Sequence, residues 1–336
     1  MCRSIAGRRS VRGGDPHPCI LSALWSTIAP LIRLIRDIFQ QARADRRPLI
    51  SLEFFPTKSE DADRTLLEKT IPALRELCPD FCSVTYGAGG STREKTLAIV
   101  DRIQREQGIT AMAHLTCVNA TIEETGEILE RTREMGIRNI LALRGDPPSG
   151  VCEFVRTNGG FEYSYELVRY IRAAGGFSIG VAGFPEGHIA CREGKHVDWE
   201  RLQAKIDQGA DFVITQLFFE NCHYFECREF LAKRGVTVPI VPGILPILSA
   251  SQIKRFVSLC GAAMPQPLLA ELERLGDDDR AVAEFGVEYA TKQCDNLLRE
   301  GAPGLHFYTL NRAASTTAVL NNLALDRLPL REVAVG

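Results

Sequence analysis

The strongest constraint in this sequence is a regular alternation that begins after Arg47. Short apolar runs recur at Ile50–Phe55, Phe81–Gly87, Thr110–Cys117, Asn139–Asp146, Phe177–Glu186, Phe212–Phe219, Pro239–Ile247 and Leu305–Leu310. Stretches with helical apolar spacing separate them: Thr65–Leu77, Arg93–Gln107, Ile122–Met135, Tyr165–Ala174, Trp199–Gln208, Tyr224–Lys233, Gln252–Leu259 and Val282–Arg299, with Ala313–Leu323 last. Most runs start about 30 residues apart, the length of one strand-plus-helix unit. Near-continuous apolar strands alternating with helices mean a parallel sheet covered on its faces. Eight units predict a closed α/β architecture, a single (β/α)8 TIM barrel. The turn after the first run reads EFFPTK, so the glycine-rich turn of an open dinucleotide-binding sheet is missing. Within the long span Ser249–Gly304, which holds at least two helices, the Asp277-Asp278-Asp279 run reads as a helix N-terminus.

Composition narrows the partners. Lys and Arg total 40 against 42 Asp and Glu, a formal charge of -2, which argues against nucleic-acid binding. The 11 cysteines show no CxxC or zinc spacing, and read as reduced, mostly buried thiols of a cytoplasmic protein. Residues 1–14 are cationic and Cys19–Ile35 is apolar, but Pro30 interrupts and Arg33 charges that run, so neither a targeting signal nor a membrane span is expected. Residues 1–29 read as a disordered extension and 30–47 as an amphipathic helix, with Pro30 at its start and Leu31, Ile35, Ile38, Phe39 and Ala42 on one face. The barrel spans 48–325, and 326–336 form a tail.

A charge on a buried strand is costly unless it points into the mouth at the strand's C-terminal end, where such barrels hold their sites. Glu53 on the first strand, Thr85 and Tyr86 on the second, His114 on the third, Arg144 and Asp146 on the fourth, Gln216 on the sixth and Tyr308, Asn311 and Arg312 on the eighth all fall near that rim. Residues two apart, such as Arg144 and Asp146, are expected on one face of their strand. Each has a bland reading as well: Glu53 a salt-bridged core carboxylate, His114 a satisfied buried histidine, Arg144 and Asp146 partners of each other, Gln216 a loop tie. Their coincidence at one rim favours a site. No lysine lies on a strand for Schiff-base chemistry: Lys58, Lys69, Lys95, Lys195, Lys205, Lys233, Lys254 and Lys292 fall in helices or loops. No metal-binding histidine set and no GxSxG elbow occurs, so no metal is expected. What remains suits a large planar cofactor that carries the chemistry, with a carboxylate as proton donor.

The segments SLEFFPTK (51–58), SVTYGAGGSTREKT (83–96), AHLTCVNAT (113–121), ILALRGDPP (140–148), ITQLFF (214–219), PGILPI (242–247) and HFYTLNR (306–312) resemble methylenetetrahydrofolate reductases. They are colinear across about residues 48–323 and are similar to the short bacterial form with the catalytic barrel alone. The resemblance implies FAD and ping-pong reduction of 5,10-methylenetetrahydrofolate to 5-methyltetrahydrofolate by NADH or NADPH, supplying methyl groups for methionine synthesis, in a homo-oligomer. By motif, Glu53 matches the general acid that protonates N10, a role suited to a carboxyl whose pKa is raised by an apolar setting. Asp146 matches the carboxylate between flavin and pterin. Thr85, Tyr86, Ala88, His114, Arg144, Gly145, Tyr163, Ser164, Phe184, His188, Asp198 and Lys205 match FAD contacts. Gln216, Gln252, Phe256, Tyr308 and Arg312 match folate or nicotinamide contacts. The sequence departs from the family's Tyr-Pro-Glu-x-His-Pro-Glu at Phe184–Ala190, and its Pro147–Glu162 loop is long. A pterin-binding barrel without redox chemistry and a silent, partner-binding subunit are the competing readings.

Overall fold

The structure is a computed structural model and describes residues 33–87, 92–146, 154–323 and 325. Residues 1–32, and with them Pro30 and Leu31, lie outside the described residues, as do Ala88 and the tail from 326.

Eight parallel strands close in sequence order: β1 (Leu49–Phe54), β2 (Phe81–Val84), β3 (Ala111–Thr116), β4 (Asn139–Leu143), β5 (Ser178–Gly183), β6 (Phe212–Leu217), β7 (Ile240–Ile244) and β8 (Gly304–Tyr308), with β8 pairing back onto β1. This is the barrel that the alternation predicts. Helix α1 (Ile35–Ala44) precedes β1. Between β1 and β2, α2 (Glu60–Thr65) passes through a wider turn at Leu66–Thr70 into α3 (Ile71–Arg75). Then come α4 (Arg93–Arg102), α5 (Ile122–Glu134), α6 (Ser164–Ala174), α7 (Lys195–Asp207) and α8 (Asn221–Lys233). Three helices fill the long span before β8: α9 (Ala250–Cys260), α10 (Gln266–Leu275) and α11 (Asp279–Arg299). Helix α12 (Ala313–Asn322) follows β8. Asp278 caps α11, accepting from the N–H groups of Arg280 and Ala281 at 3.1 Å, so the acidic run starts a helix as its composition suggests.

Several strands end earlier than their apolar runs. β4 stops at Leu143, and Gly145 takes a φ of +88°. A Cβ there would meet Thr116 and Val118 at 2.9 Å, so only glycine fits. Arg144 and Asp146 therefore lie on a turn, and the expectation that they share a strand face is corrected. Likewise Thr85 and Tyr86 follow β2, and Phe184 follows β5. Helix α7 begins earlier than expected and so carries both Asp198 and Lys205.

Helix α1 closes the N-terminal opening of the barrel. Ile35, Ile38, Phe39 and Ala42 are buried, as the apolar spacing predicts, against Phe81, Met112, Leu141, Phe212, Ile214 and Val241. The Phe39 ring sits 5.3 Å from Phe212 and 6.3 Å from Phe81. No side chain of its own caps this helix. Its N-terminus is satisfied instead by the first residues of two strands: the Ile35 N–H donates to Asn139 Oδ1 at 2.8 Å and the Arg36 N–H to Ser178 Oγ at 3.0 Å.

The cysteines are less uniformly buried than expected. Cys82, Cys117, Cys227 and Cys294 are buried, whereas Cys78 and Cys222 are exposed, at a helix end and at the start of α8. No helix among the described residues is long and apolar enough to cross a membrane.

Candidate active site

Glu53 occupies the fifth position of β1, near its C-terminal end, and is 5% exposed. Its backbone is fixed first. The Glu53 carbonyl accepts from the Thr309 hydroxyl at 2.7 Å and the Thr309 N–H at 3.3 Å. Two residues on, the Asn311 side chain accepts from the Phe55 N–H at 2.9 Å and donates to the Phe55 carbonyl at 2.7 Å. Asn311 can turn back in this way because it adopts a left-handed φ of +58°. The end of β1 is thus stapled to the turn after β8.

The Glu53 side chain is gripped on one oxygen. Ser83 Oγ donates to Oε2 at 3.3 Å, and His306 Nε2 lies 3.3 Å from the same atom. His114 Nε2 approaches Oε2 at 3.4 Å without hydrogen-bond geometry. Burial pushes the carboxyl up, but the charge of His114 close by, then the hydrogen bond and charge of His306, outweigh it and lower the pKa to about 2. An acid raised by apolar surroundings, the expectation from sequence, is therefore corrected: the carboxylate is held ionised by two imidazoles. His306 did not figure among the expected site residues. Its signal was an imidazole on the same strand face as Tyr308, in the strand that pairs with β1.

On β3, two strands from β1, His114 Nε2 and Thr116 Oγ1 are both buried without a hydrogen bond and lie two residues apart. Orphaned polar atoms on the side that holds Glu53 fit a polar ligand at the mouth. Beyond them the turns after β4 and β5 and the first turns of α7 gather charge. Burial, the largest effect, lowers the His188 pKa, and Asp198, Arg144, Lys205 and Asp146 all act on it electrostatically. Lys205 is half-buried; its Nζ donates to the Ala182 carbonyl at 2.6 Å, and burial lowers its pKa to about 8 despite Asp198. An ammonium has three donors, and one carbonyl satisfies one. With Arg144, it offers a seat for an anionic group such as the diphosphate of a dinucleotide. These observations fit FAD. Arg144 also lies over the Phe154 ring at 5.1 Å. Asp146 is exposed at the rim.

Other expected residues are placed with varied freedom. The Tyr86 hydroxyl accepts from Arg93 Nε at 2.6 Å, and Thr85 meets Thr96 through its carbonyl. Tyr163 is 45% exposed, stacks on Tyr165 at 5.7 Å and precedes Ser164 at the start of α6. Phe184 contacts the His188 ring edge at 4.5 Å. Gln216 lies where the β6–β7 register shifts, and its own Oε1 accepts the Leu217 N–H at 2.8 Å. Tyr308 donates its hydroxyl to the Thr215 carbonyl at 2.7 Å, committing that group to the barrel wall. Gln252 and Phe256 are half-buried on α9, and Arg312 is exposed before α12. All of these lie beyond or near the C-terminal ends of the strands, the end that holds Glu53.

Comparison with known proteins agrees with this geometry. The profile of the family described as methylenetetrahydrofolate reductase matches residues 38–324. The chain is 41% identical over 285 residues to methylenetetrahydrofolate reductase (NADH) 1 of Arabidopsis thaliana, covering 82% of this chain and 48% of the plant protein. It thus spans about half the length of the plant relatives it matches. It is 36% identical over 294 residues to 5,10-methylenetetrahydrofolate reductase of Pectobacterium carotovorum, covering 86% of this chain and 95% of the relative. Among solved structures, a Clostridium thermocellum protein described as binding two copies of 5-methyl-5,6,7,8-tetrahydrofolic acid shares the fold, with a TM-score of 0.56 and 17% identity over 85% of this chain and 96% of the other. On the family profile and these relatives together, the chain belongs to the methylenetetrahydrofolate reductase family.

Proposed function

We propose that this protein reduces 5,10-methylenetetrahydrofolate to 5-methyltetrahydrofolate, with NADH as electron donor and FAD as resident cofactor. The observation that supports it most is the buried Glu53 carboxyl, clasped by His114 and His306 at the open end of the barrel. Its family membership gives that acid–imidazole group a substrate with a basic nitrogen to protonate. Bound FAD would supply hydride transfer, from the nicotinamide to the one-carbon unit.

The chain's own residues do the rest. Lys205 and Arg144 would hold the cofactor's diphosphate, with His188 and Asp198 beside them. His114, Thr116 and the Gly145 turn would border its ring system, and the remaining matched residues Thr85, Tyr86, Tyr163, Ser164 and Phe184 would frame it. Asp146, exposed at the rim, hydrogen-bonds the pterin. Gln216, Gln252, Phe256, Tyr308 and Arg312 line the route for the folate or the nicotinamide. An arginine suits the folate glutamate carboxylate, and a phenylalanine suits stacking. Glu53 delivers a proton to N10. The bond from the methylene carbon to N10 then breaks with its electron pair moving onto N10, and the resulting iminium at N5 is the hydride acceptor.

The test is the absorbance of the purified protein. A yellow protein is expected, bleached by NADH without oxygen and recoloured by methylenetetrahydrofolate. A protein that stays colourless after FAD is added overturns the reading and leaves a pterin-binding barrel without redox chemistry.

A further inference from the structure

Behind Glu53, away from the mouth, lies an imidazole sealed from solvent. His306 is 0% exposed. Its ring stacks on Phe81 at 6.5 Å and 27° and meets the Tyr308 ring edge-on at 5.4 Å. Its Nδ1 is 2.9 Å from Ser51 Oγ. The Ser51 hydroxyl donates to the Leu305 carbonyl at 3.3 Å, so its oxygen is left to accept a proton-bearing Nδ1. With the Ser51 hydroxyl donating to Leu305, Nδ1 keeps its hydrogen and Nε2 is the nitrogen free to exchange a proton. Nε2 lies 3.3 Å from Glu53 Oε2.

We propose that His306, oriented by Ser51, is a positioning residue that stores at Nε2 the proton Glu53 delivers. The proposal deepens the folate-reductase reading and rests on it. With the proton on Nε2, an imidazolium donates to the carboxylate. With it on Oε2, the carboxyl donates to a neutral imidazole. Both placements keep the same hydrogen bond satisfied, so moving the proton between Nε2 and Oε2 leaves neither atom orphaned. Other groups that face Glu53 are Ser83 on β2, His114 on β3 and Tyr308 on β8. Ser83 donates to the carboxylate, and the Tyr308 hydroxyl is spent on Thr215. His114 borders the mouth, whereas the His306 proton is sealed from solvent. In the reaction the proton passes from Nε2 to Oε2 and on to N10, where it bonds to the electron pair released from the methylene carbon. His306 is left neutral and regains a proton through Glu53 once the product has left.

The test compares His306→Gln with the wild type. Glutamine keeps a hydrogen-bond donor near Glu53 but carries no transferable proton. NADH should bleach the variant at a rate within about twofold of wild type, while the folate step slows about tenfold or more and its decline with rising pH moves to lower pH. A folate step with wild-type rate and pH profile overturns the proposal. A substrate-free readout is the infrared carboxyl band that disappears in Glu53→Gln: it should grow in at higher pH in His306→Gln than in wild type, since one partner that keeps the carboxyl ionised is gone. Identical titrations also overturn it. If His306→Gln does not fold, Ser51→Ala leaves the ring in place and must shift the pH profile in the same direction; an unchanged profile is again fatal. A wild-type protein inactive on folate would defeat the functional reading, yet the infrared titration would still decide whether His306 and Glu53 share a proton.

Discussion

At the N-terminal opening of the barrel, α1 drives Ile38 and Phe39 onto Phe81 and Phe212, and the few polar atoms there are paired with helix N–H groups. At the C-terminal opening, Glu53 is buried with hydrogen bonds of 3.3 Å, His114 Nε2 and Thr116 Oγ1 are buried with none, and Lys205 is pushed toward neutrality. Both ends belong to the same strands. Phe81 touches both, packing on Phe39 below and on the His306 ring above. The difference teaches where stability and chemistry are separated. The lower end gains about 1.5–3 kcal/mol for each large apolar side chain it buries. The upper end keeps two buried polar atoms, His114 Nε2 and Thr116 Oγ1, that no protein group satisfies.

If that division is right, mutations should sort by end. The largest expected effect is Glu53→Gln, which should cut methylenetetrahydrofolate reduction by roughly 10²–10⁴-fold while NADH bleaching stays near wild type. Stopped-flow measurement of the two half-reactions checks it, and equal loss in both would end the general-acid role. Next is Phe39→Ala, whose cavity should remove about 3 kcal/mol and lower Tm by roughly 5–10 °C, with turnover at low temperature unchanged. A scan with activity assays would break the comparison if activity fell while Tm did not. Lys205→Met should weaken FAD binding roughly tenfold. Wild-type affinity should also fall as pH rises through about 8, where the ammonium of the cofactor-free protein loses its charge, and the variant should lack that dependence. Fluorescence titration of FAD reads both.

A further effect is expected at acid pH. Glu53 has its pKa lowered from 4.5 to about 2, so its ionised form stabilises the fold above pH 4.5, and that contribution is lost as pH falls from 4.5 toward 2. Denaturant midpoints across that window should fall more steeply for wild type than for Glu53→Gln.

Much of the scaffold was legible in the residues. Strand and helix alternation needs only apolar periodicity, and α1 followed from Ile35, Ile38, Phe39 and Ala42 on one stripe. Strand ends were harder. The apolar run through Asp146 looked continuous, but the left-handed turn at Gly145 stops β4, and only the close packing of Thr116 and Val118 reveals why. Within the site, Glu53 stood out because a carboxylate in an apolar strand is anomalous alone. His306 did not, since its partners Ser51 and Glu53 lie 255 and 253 residues away and meet it only when β8 closes onto β1. The same closure reversed the expected direction of the Glu53 pKa. Apolar neighbours in sequence argued for a raised value, and imidazoles brought from β3 and β8 lowered it.

The sequence by itself determined the architecture and the end at which chemistry would gather, because periodicity and lone charges act locally and their cost is fixed by residue type. Only the tertiary structure decided which groups share protons, because that depends on atoms within about 3.5 Å of each other, and barrel closure brings those atoms from opposite ends of the chain.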